Sequence, residues 1–301
     1  MATIPPYLKK GNTIGITCPS GFMDAKKSTA CIHTLQKWGF NVMVGKTVGG
    51  KSTNYFSASD EDKIEELQAM LDSKEIHAIL FGRGGYGMSR IIDKLSFKEF
   101  KKNPKWLIGF SDITVLHCHL LTNINIASVH GPMAGAFNTN NSFTIEALYK
   151  TISGKKINYS CESYHLNRAG KVTGELIGGN LALLSNVIGT KSDFKTKNKI
   201  LFIEDVGELL YSADRMLQQL KRNRKFNQLA GLIVGGFTEM KDTERPFGKT
   251  IQEIIFDIVK EFDYPVCFGF PISHGNINLS VKIGCTYQLN ITKSKTNLKE
   301  I

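Results

Sequence analysis

Four short segments hold side chains able to do covalent or acid–base chemistry. The first runs Trp106-Leu107-Ile108-Gly109-Phe110-Ser111-Asp112-Ile113-Thr114. An apolar strand ends at a serine and a helix begins at once, the setting in which a sharp turn can lift a hydroxyl above a sheet edge. No glycine stands two residues after Ser111, so the α/β-hydrolase elbow is not matched, and from this segment alone a helix-capping serine is the favoured reading. The second is Gly82-Arg83-Gly84-Gly85-Tyr86-Gly87, after the strand-like His77–Phe81. Glycines there let a ligand approach the backbone, and amides at a helix start suit an anion. The spacing superficially resembles a dinucleotide turn, but no acidic residue ends a strand about 20 residues on. An oxyanion hole, a carboxylate nest or an empty tight turn all fit.

In the third segment the apolar run Ile200–Ile203 ends in two carboxylates, Glu204 and Asp205. Such a carboxylate can orient a histidine, hold a metal, or cap the next turn. The fourth is Phe270-Pro271-Ile272-Ser273-His274-Gly275-Asn276. Its histidine sits on a loop of turn-forming residues rather than on an apolar helix face, which favours function over packing. His117 and His119 fall mid-helix, His33, His77 and His165 look incidental, and His130 follows a strand that could line a site. No cluster has metal-ligand spacing.

The elements that must position these groups alternate. Thr13–Cys18, Asn41–Val48, His77–Phe81, Trp106–Phe110 and Ile126–Val129 read as strands with helical stretches between them. After a polar stretch the pattern restarts with strands at Val172–Ile177, Lys199–Ile203, Leu232–Val234 and Val266–Phe268. This argues for parallel sheets flanked by helices, with ligands beyond the carboxyl ends of the strands. We expect an N-terminal domain over 1–152, a linker over 153–171 and a C-terminal domain over 172–301, with Val281–Ile291 as a hairpin or edge.

Composition narrows the class. The chain has 301 residues, 42% hydrophobic and 22% charged, as in folded globular proteins. The net charge of +11 comes from scattered lysines and arginines; the run Lys221, Arg222, Arg224, Lys225 ends an amphipathic helix and has no interleaved aromatics. Nucleic-acid binding is therefore not expected. Six cysteines without a CxxC pair read as reduced thiols, and neither a secretory signal nor a membrane span is expected, so the chain reads as cytoplasmic.

Together and in this order the segments resemble the serine LD-carboxypeptidases, a family that includes the microcin C immunity peptidases. The resemblance takes in Gly11–Gly21, Gly82–Gly87, Gly109–Thr114, His130–Pro132, Gly174–Asn180, Leu201–Glu208, Tyr211–Leu217 and Gly269–Gly275. It implies an α/β fold whose N-terminal parallel-sheet domain is related to class I glutamine amidotransferases, with a smaller C-terminal α/β domain, usually as a homodimer. It implies Ser111 as nucleophile, Glu204 and His274 as its partners, and the amides of Gly85 and Asp112 as oxyanion hole. Arg83, Tyr86 and Glu175 become substrate-side residues. No cofactor or metal is implied. The expected reaction is release of the terminal D-alanine from an anionic murein tetrapeptide. Cleavage of aminoacyl-nucleotide amides is the rival, although its members tend to carry a longer insertion with a stacking aromatic between the serine and the glutamate. Trp38 and Trp106 both lie outside that stretch. A silent binding protein on the same scaffold is disfavoured because all three catalytic residue types are present, and a cysteine amidotransferase because residue 111 is serine.

Overall fold

A computed structural model describes residues 2–50 and 52–301. The first half supplies five strands, β1 (Thr13–Thr17), β2 (Asn41–Val44), β3 (Ile76–Phe81), β4 (Trp106–Gly109) and β5 (Ser128–His130). Between and after them lie α1 (Thr29–Lys37), α2 (Asp60–Asp72), α3 (Met88–Ile91), α4 (Lys98–Lys102), α5 (Thr114–His119) and α6 (Ser142–Ile152). The five strands are parallel and ordered β2-β1-β3-β4-β5. Strands β3 and β4 are almost wholly buried, as continuous apolar runs covered on both faces must be. In this order the connections diverge between β1 and β3, and the turns after β1, β3 and β4 share one end of the sheet. Helix α2 starts where its sequence says it should: Ser59 Oγ accepts the Asp62 amide at 3.1 Å, and three acidic residues fill the first turn.

The second half builds a mixed sheet from β6 (Asn158–Glu162), β7 (Gly170–Asn180), β8 (Lys199–Val206), β9 (Gly231–Thr238) and β10 (Val266–Cys267), with helices α7 (Leu181–Asn186), α8 (Leu210–Arg222) and α9 (Ile251–Val259). The last strands are β11 (Val281–Ile283), β12 (Thr286–Ile291) and β13 (Lys295–Glu300). The order is β10-β9-β8-β7-β12-β13-β6; β7 to β10 run parallel, and β12, β13 and β6 are antiparallel to their neighbours. The protein is thus a mixed α/β fold with two sheets.

Two segments differ from the sequence reading. Residues 158–162, inside the expected linker, form the edge strand β6; its polar residues face water on one side, so no apolar run announces it. The segment Val281–Ile291 is not one hairpin. Strand β11 leaves the second half and pairs antiparallel with β5, completing the first sheet, while β12 lies inside the second sheet between β7 and β13. Lys282 in β11 hides this placement, because a lysine normally marks an exposed edge. Here it is fully buried, with Nζ donating to Glu300 Oε1 at 2.9 Å, to Oε2 at 3.1 Å and to Tyr7 Oη at 3.0 Å.

That buried pair joins the first sheet, the last strand and the N-terminal segment. Removing one partner strands the other charge in the core. Lys282→Met is expected to cost about 3–5 kcal/mol of stability, and Glu300→Leu added to it to recover much of the loss. Urea denaturation of the single and double variants measures both.

Candidate active site

The turn after β4 is strained. Ser111 has φ of 62°, the left-handed region that non-glycine residues rarely occupy. It opens a short 3-10 turn leading into α5, yet no side-chain capping bond is made at either helix start. The capping role weighed for Ser111 is therefore not what the side chain does. Instead it points at the glycine turn after β3. A Cβ added to Gly84 would stand 2.9 Å from Ser111 Cβ and 3.1 Å from its Oγ. Only glycine lets the two turns approach this closely.

Asp112 ties these turns together with its side chain. It is fully buried, and Oδ2 accepts Ser20 Oγ at 2.5 Å and the Met88 amide at 2.8 Å. One carboxylate thereby joins the turns that follow β1, β3 and β4. Burial pushes its pKa up, against the hydrogen bonds from Ser20 and the backbone that favour the charged form. Gly85 takes φ of 95°, and its amide makes no hydrogen bond with another described residue. Free amides beside a nucleophilic hydroxyl are what an oxyanion needs.

A carboxylate–imidazole pair comes from the second half. Glu204 lies near the end of β8, fully buried, in register with Asn180 of β7. His274 sits on the loop between β10 and β11. That loop is folded back on itself by the Leu279 amide donating to Pro271 O at 2.9 Å and the Gly275 amide to Ser273 Oγ at 3.0 Å. His274 Nδ1 and Glu204 Oε2 are 2.6 Å apart. With Nδ1 committed to the carboxylate, Nε2 is the nitrogen left to accept a proton. It is buried and has no hydrogen-bond partner, Ser111 Oγ included. The imidazole packs on Phe110, centroids 4.7 Å apart, and Phe110 directly precedes Ser111. Burial drives the His274 pKa down, but the hydrogen bond and charge of Glu204 outweigh it and hold it above the ordinary histidine value.

Asp205, the other carboxylate at the end of β8, is structural. Its oxygens accept Asn180 Nδ2 at 2.7 Å, the Ala182 amide at 3.0 Å and the Val206 amide at 2.8 Å. Asn180 in turn caps α7 through the Leu183 amide, and its own amide donates to Thr114 Oγ1 at 3.1 Å. This chain links the serine helix to the glutamate strand. In the sequence Asn180 and Thr114 appear only as the last residues of the segments Gly174–Asn180 and Gly109–Thr114, and nothing there gives them or Ser20 a positioning role; the glycine pair before Asn180 is the one signal available. Arg83 is exposed, with Nη1 donating to Phe22 O at 2.6 Å, and Tyr86 is exposed beside it. Glu175 is not brought to this group. It lies five residues before the site end of β7 and pairs with Lys199 at 2.5 Å. His130 is fully buried between Phe110 and Phe202, behind the His274 ring. Among the described residues no group of three or more His, Cys, Asp or Glu is placed to hold a metal ion.

Comparison with known proteins gives a consistent picture. Residues 14–131 match the LD-carboxypeptidase N-terminal domain and residues 173–289 the LD-carboxypeptidase C-terminal domain. A probable murein peptide carboxypeptidase of Bacillus subtilis is 32% identical, with 98% of this chain and 94% of that protein aligned. The microcin C7 self-immunity protein of Escherichia coli is 24% identical over 97% of this chain and 94% of its own. The crystal structure of a muramoyltetrapeptide carboxypeptidase from Oxalobacter formigenes superposes with a TM-score of 0.87 at 26% identity, covering 96% of this chain and 98% of that one.

The Glu204–His274 pair has a pH signature. Because the folded pKa of His274 is raised, the stability this pair contributes is fully present below the unfolded value of about 6.5 and is lost as pH rises through the folded one. An NMR titration of the His274 ring should give a midpoint above 6.5, and Glu204→Gln should move it downward. A wild-type midpoint at or below 6.5 would contradict the assignment.

Proposed function

Since the chain belongs to the LD-carboxypeptidase family, we propose that it is a serine carboxypeptidase releasing the terminal D-amino acid of murein tetrapeptides through an acyl-enzyme on Ser111. The observation that carries this reading is the 2.6 Å Glu204–His274 pair packed against the residue before a strained serine. His274 Nε2 takes the Ser111 proton while Glu204 holds the ring and stabilises the imidazolium. Ser111 Oγ attacks the amide carbonyl of the L-residue. The amides of Gly85 and Asp112 receive the oxyanion, each donor being worth about 2.7–4 kcal/mol. Collapse expels the D-amino acid, its nitrogen protonated by His274, and water then releases the acyl group by the same steps in reverse order.

Arg83 supplies a cation for the free carboxylate that distinguishes a carboxypeptidase substrate, and Tyr86 borders the same turn. Glu175, held by Lys199, has no part in this reading. Reduced cysteines support a cytoplasmic setting: all six are free. No helix among the described residues is long and apolar enough to cross a membrane. The homodimer and the relation of the first half to class I glutamine amidotransferases rest on the family resemblance; the β2-β1-β3-β4-β5 order with a nucleophile after a central strand supports the latter.

Hydrolysis of aminoacyl-nucleotide amides is the second reading, supported by the full-length similarity to the microcin C7 self-immunity protein. Against it, Trp106 is buried in β4 against Tyr7 and Trp38 packs on Phe40 and Tyr149, so neither is offered to a nucleobase at the site.

Mass spectrometry of a murein tetrapeptide incubated with wild type and with Ser111→Ala decides between them. Loss of D-alanine with wild type alone is the expected result. No cleavage by either protein directs attention to aminoacyl-adenylate amides, and cleavage by both removes Ser111 from the mechanism.

A further inference from the structure

Beside the glycine turn lies a phenol that no step above uses. Tyr55 belongs to the loop between β2 and α2, and that loop is pinned to the site from several sides. The Phe22 amide donates to Tyr55 O at 2.9 Å, the Ser57 amide to Ser20 O at 3.2 Å, and Gly21 and Phe56 form an antiparallel bridge. Deeper in the loop, Thr47 Oγ1 donates to Glu66 Oε1 at 2.6 Å, and the same carboxylate accepts Thr17 Oγ1 at the end of β1 at 2.6 Å.

The ring of Tyr55 is braced as well. It stands edge-on to Phe56 at 5.3 Å, and Phe56 is flanked by Lys63 Nζ at 4.7 Å and the Arg90 guanidinium at 5.1 Å. Asp60 holds both cations, at 2.8 Å from Lys63 Nζ and 2.7 Å from Arg90 Nη2. Tyr55 itself is 54% exposed, so the brace acts on one edge of its ring and leaves the rest open to a ligand.

What the brace presents is the hydroxyl. A Cβ added to Gly85 would lie 2.7 Å from Tyr55 Oη, just as one added to Gly84 would lie 3.1 Å from Ser111 Oγ. The phenol and the serine hydroxyl therefore lean on adjacent glycines of one turn. Tyr55 Oη makes no hydrogen bond to another described residue. Gly21 joins the phenol to the cation: its added Cβ would be 3.8 Å from Arg83 Cζ, and Gly21 Cα lies 3.7 Å from the Cβ position at Gly85. Arg83 commits Nη1 to Phe22 O and leaves Nε and Nη2 free.

We propose that Tyr55 is a substrate-binding residue whose hydroxyl, with the free edge of Arg83, receives the terminal carboxylate of the leaving D-amino acid. This rests on the carboxypeptidase reading and adds to it the group that makes the enzyme an exopeptidase. A cation alone attracts any anion; a hydroxyl and a planar guanidinium held beside one turn recognise a carboxylate by direction. The loop from β2 to α2 then becomes the element that measures where the peptide ends.

The test compares a murein tetrapeptide with its C-terminal amide, each as substrate for wild type and for Tyr55→Phe, which keeps the ring and removes only the hydroxyl. Wild type should favour the free acid. In Tyr55→Phe the acid-over-amide preference in kcat/KM should narrow roughly tenfold to a hundredfold, the usual weight of a hydrogen bond to a charged group. The loss should appear mainly in KM for the acid. An unchanged preference, an equal loss on both peptides, or a wild type indifferent to the amide would each overturn the assignment of Tyr55 while leaving the peptidase reading intact. A wild type that cleaves neither peptide overturns both.

Discussion

Everything at the site depends on how closely two turns approach each other. Ser111 and Gly84 meet at a separation that leaves no room for a Cβ on the glycine. The left-handed backbone of Ser111 aims the hydroxyl into that gap rather than back onto its own helix. Strain of this kind costs of order 1–3 kcal/mol and persists only where the surroundings over-determine it. Here they do. The Asp112 carboxylate holds Ser20 and Met88, Gly109 packs on Phe81 and Ile113, and β3 and β4 are buried along most of their length. The first sheet is thus a rigid frame for one half-buried serine.

The second half meets that frame through very small residues. Gly179 can lie against Thr114 because it has no side chain; a Cβ there would stand 2.5 Å from Thr114 Oγ1. The next residue, Asn180, passes the contact on to Asp205, the neighbour of Glu204. Gly235 plays a similar part between Glu204 and Ile272. The position of the carboxylate relative to the serine is therefore set by backbone packing and hydrogen bonds.

The alternation of apolar runs and helical stretches was enough to read the parallel strands and their helices, because in such sheets burial on both faces writes itself into the sequence. Ser111, Glu204 and His274 stand out in the sequence as residue types at strand ends and on a turn-rich loop, while the roles expected of them come from the family resemblance alone. What could not be read is long-range pairing. Lys282 looks like a surface residue until Glu300 and Tyr7 are known to close around it. Strand β6 carries no apolar run, since an edge strand needs only one covered face. Glu175 has the charge of a binding residue, but its partner Lys199 is on the neighbouring strand, and only the register of β7 and β8 reveals that. Asp112 was valued for its amide, whereas its side chain does the joining.

Strand β11 has a consequence for how the molecule is made. It belongs to the first sheet, yet it follows the His274 loop near the end of the chain, and its partner β5 lies far upstream. The histidine loop is therefore strung between two sheets, leaving one at β10 and entering the other at β11. During synthesis the serine turn and its glycine cradle are translated early, but the strand that completes their sheet emerges among the last residues. Contacts of such high sequence separation form late and slowly. The sheet edge at β5 stays open until β11 has been made, and pairing the two strands holds the His274 loop between the sheets. Completion of the first sheet and placement of the His274 loop therefore depend on the same late strand.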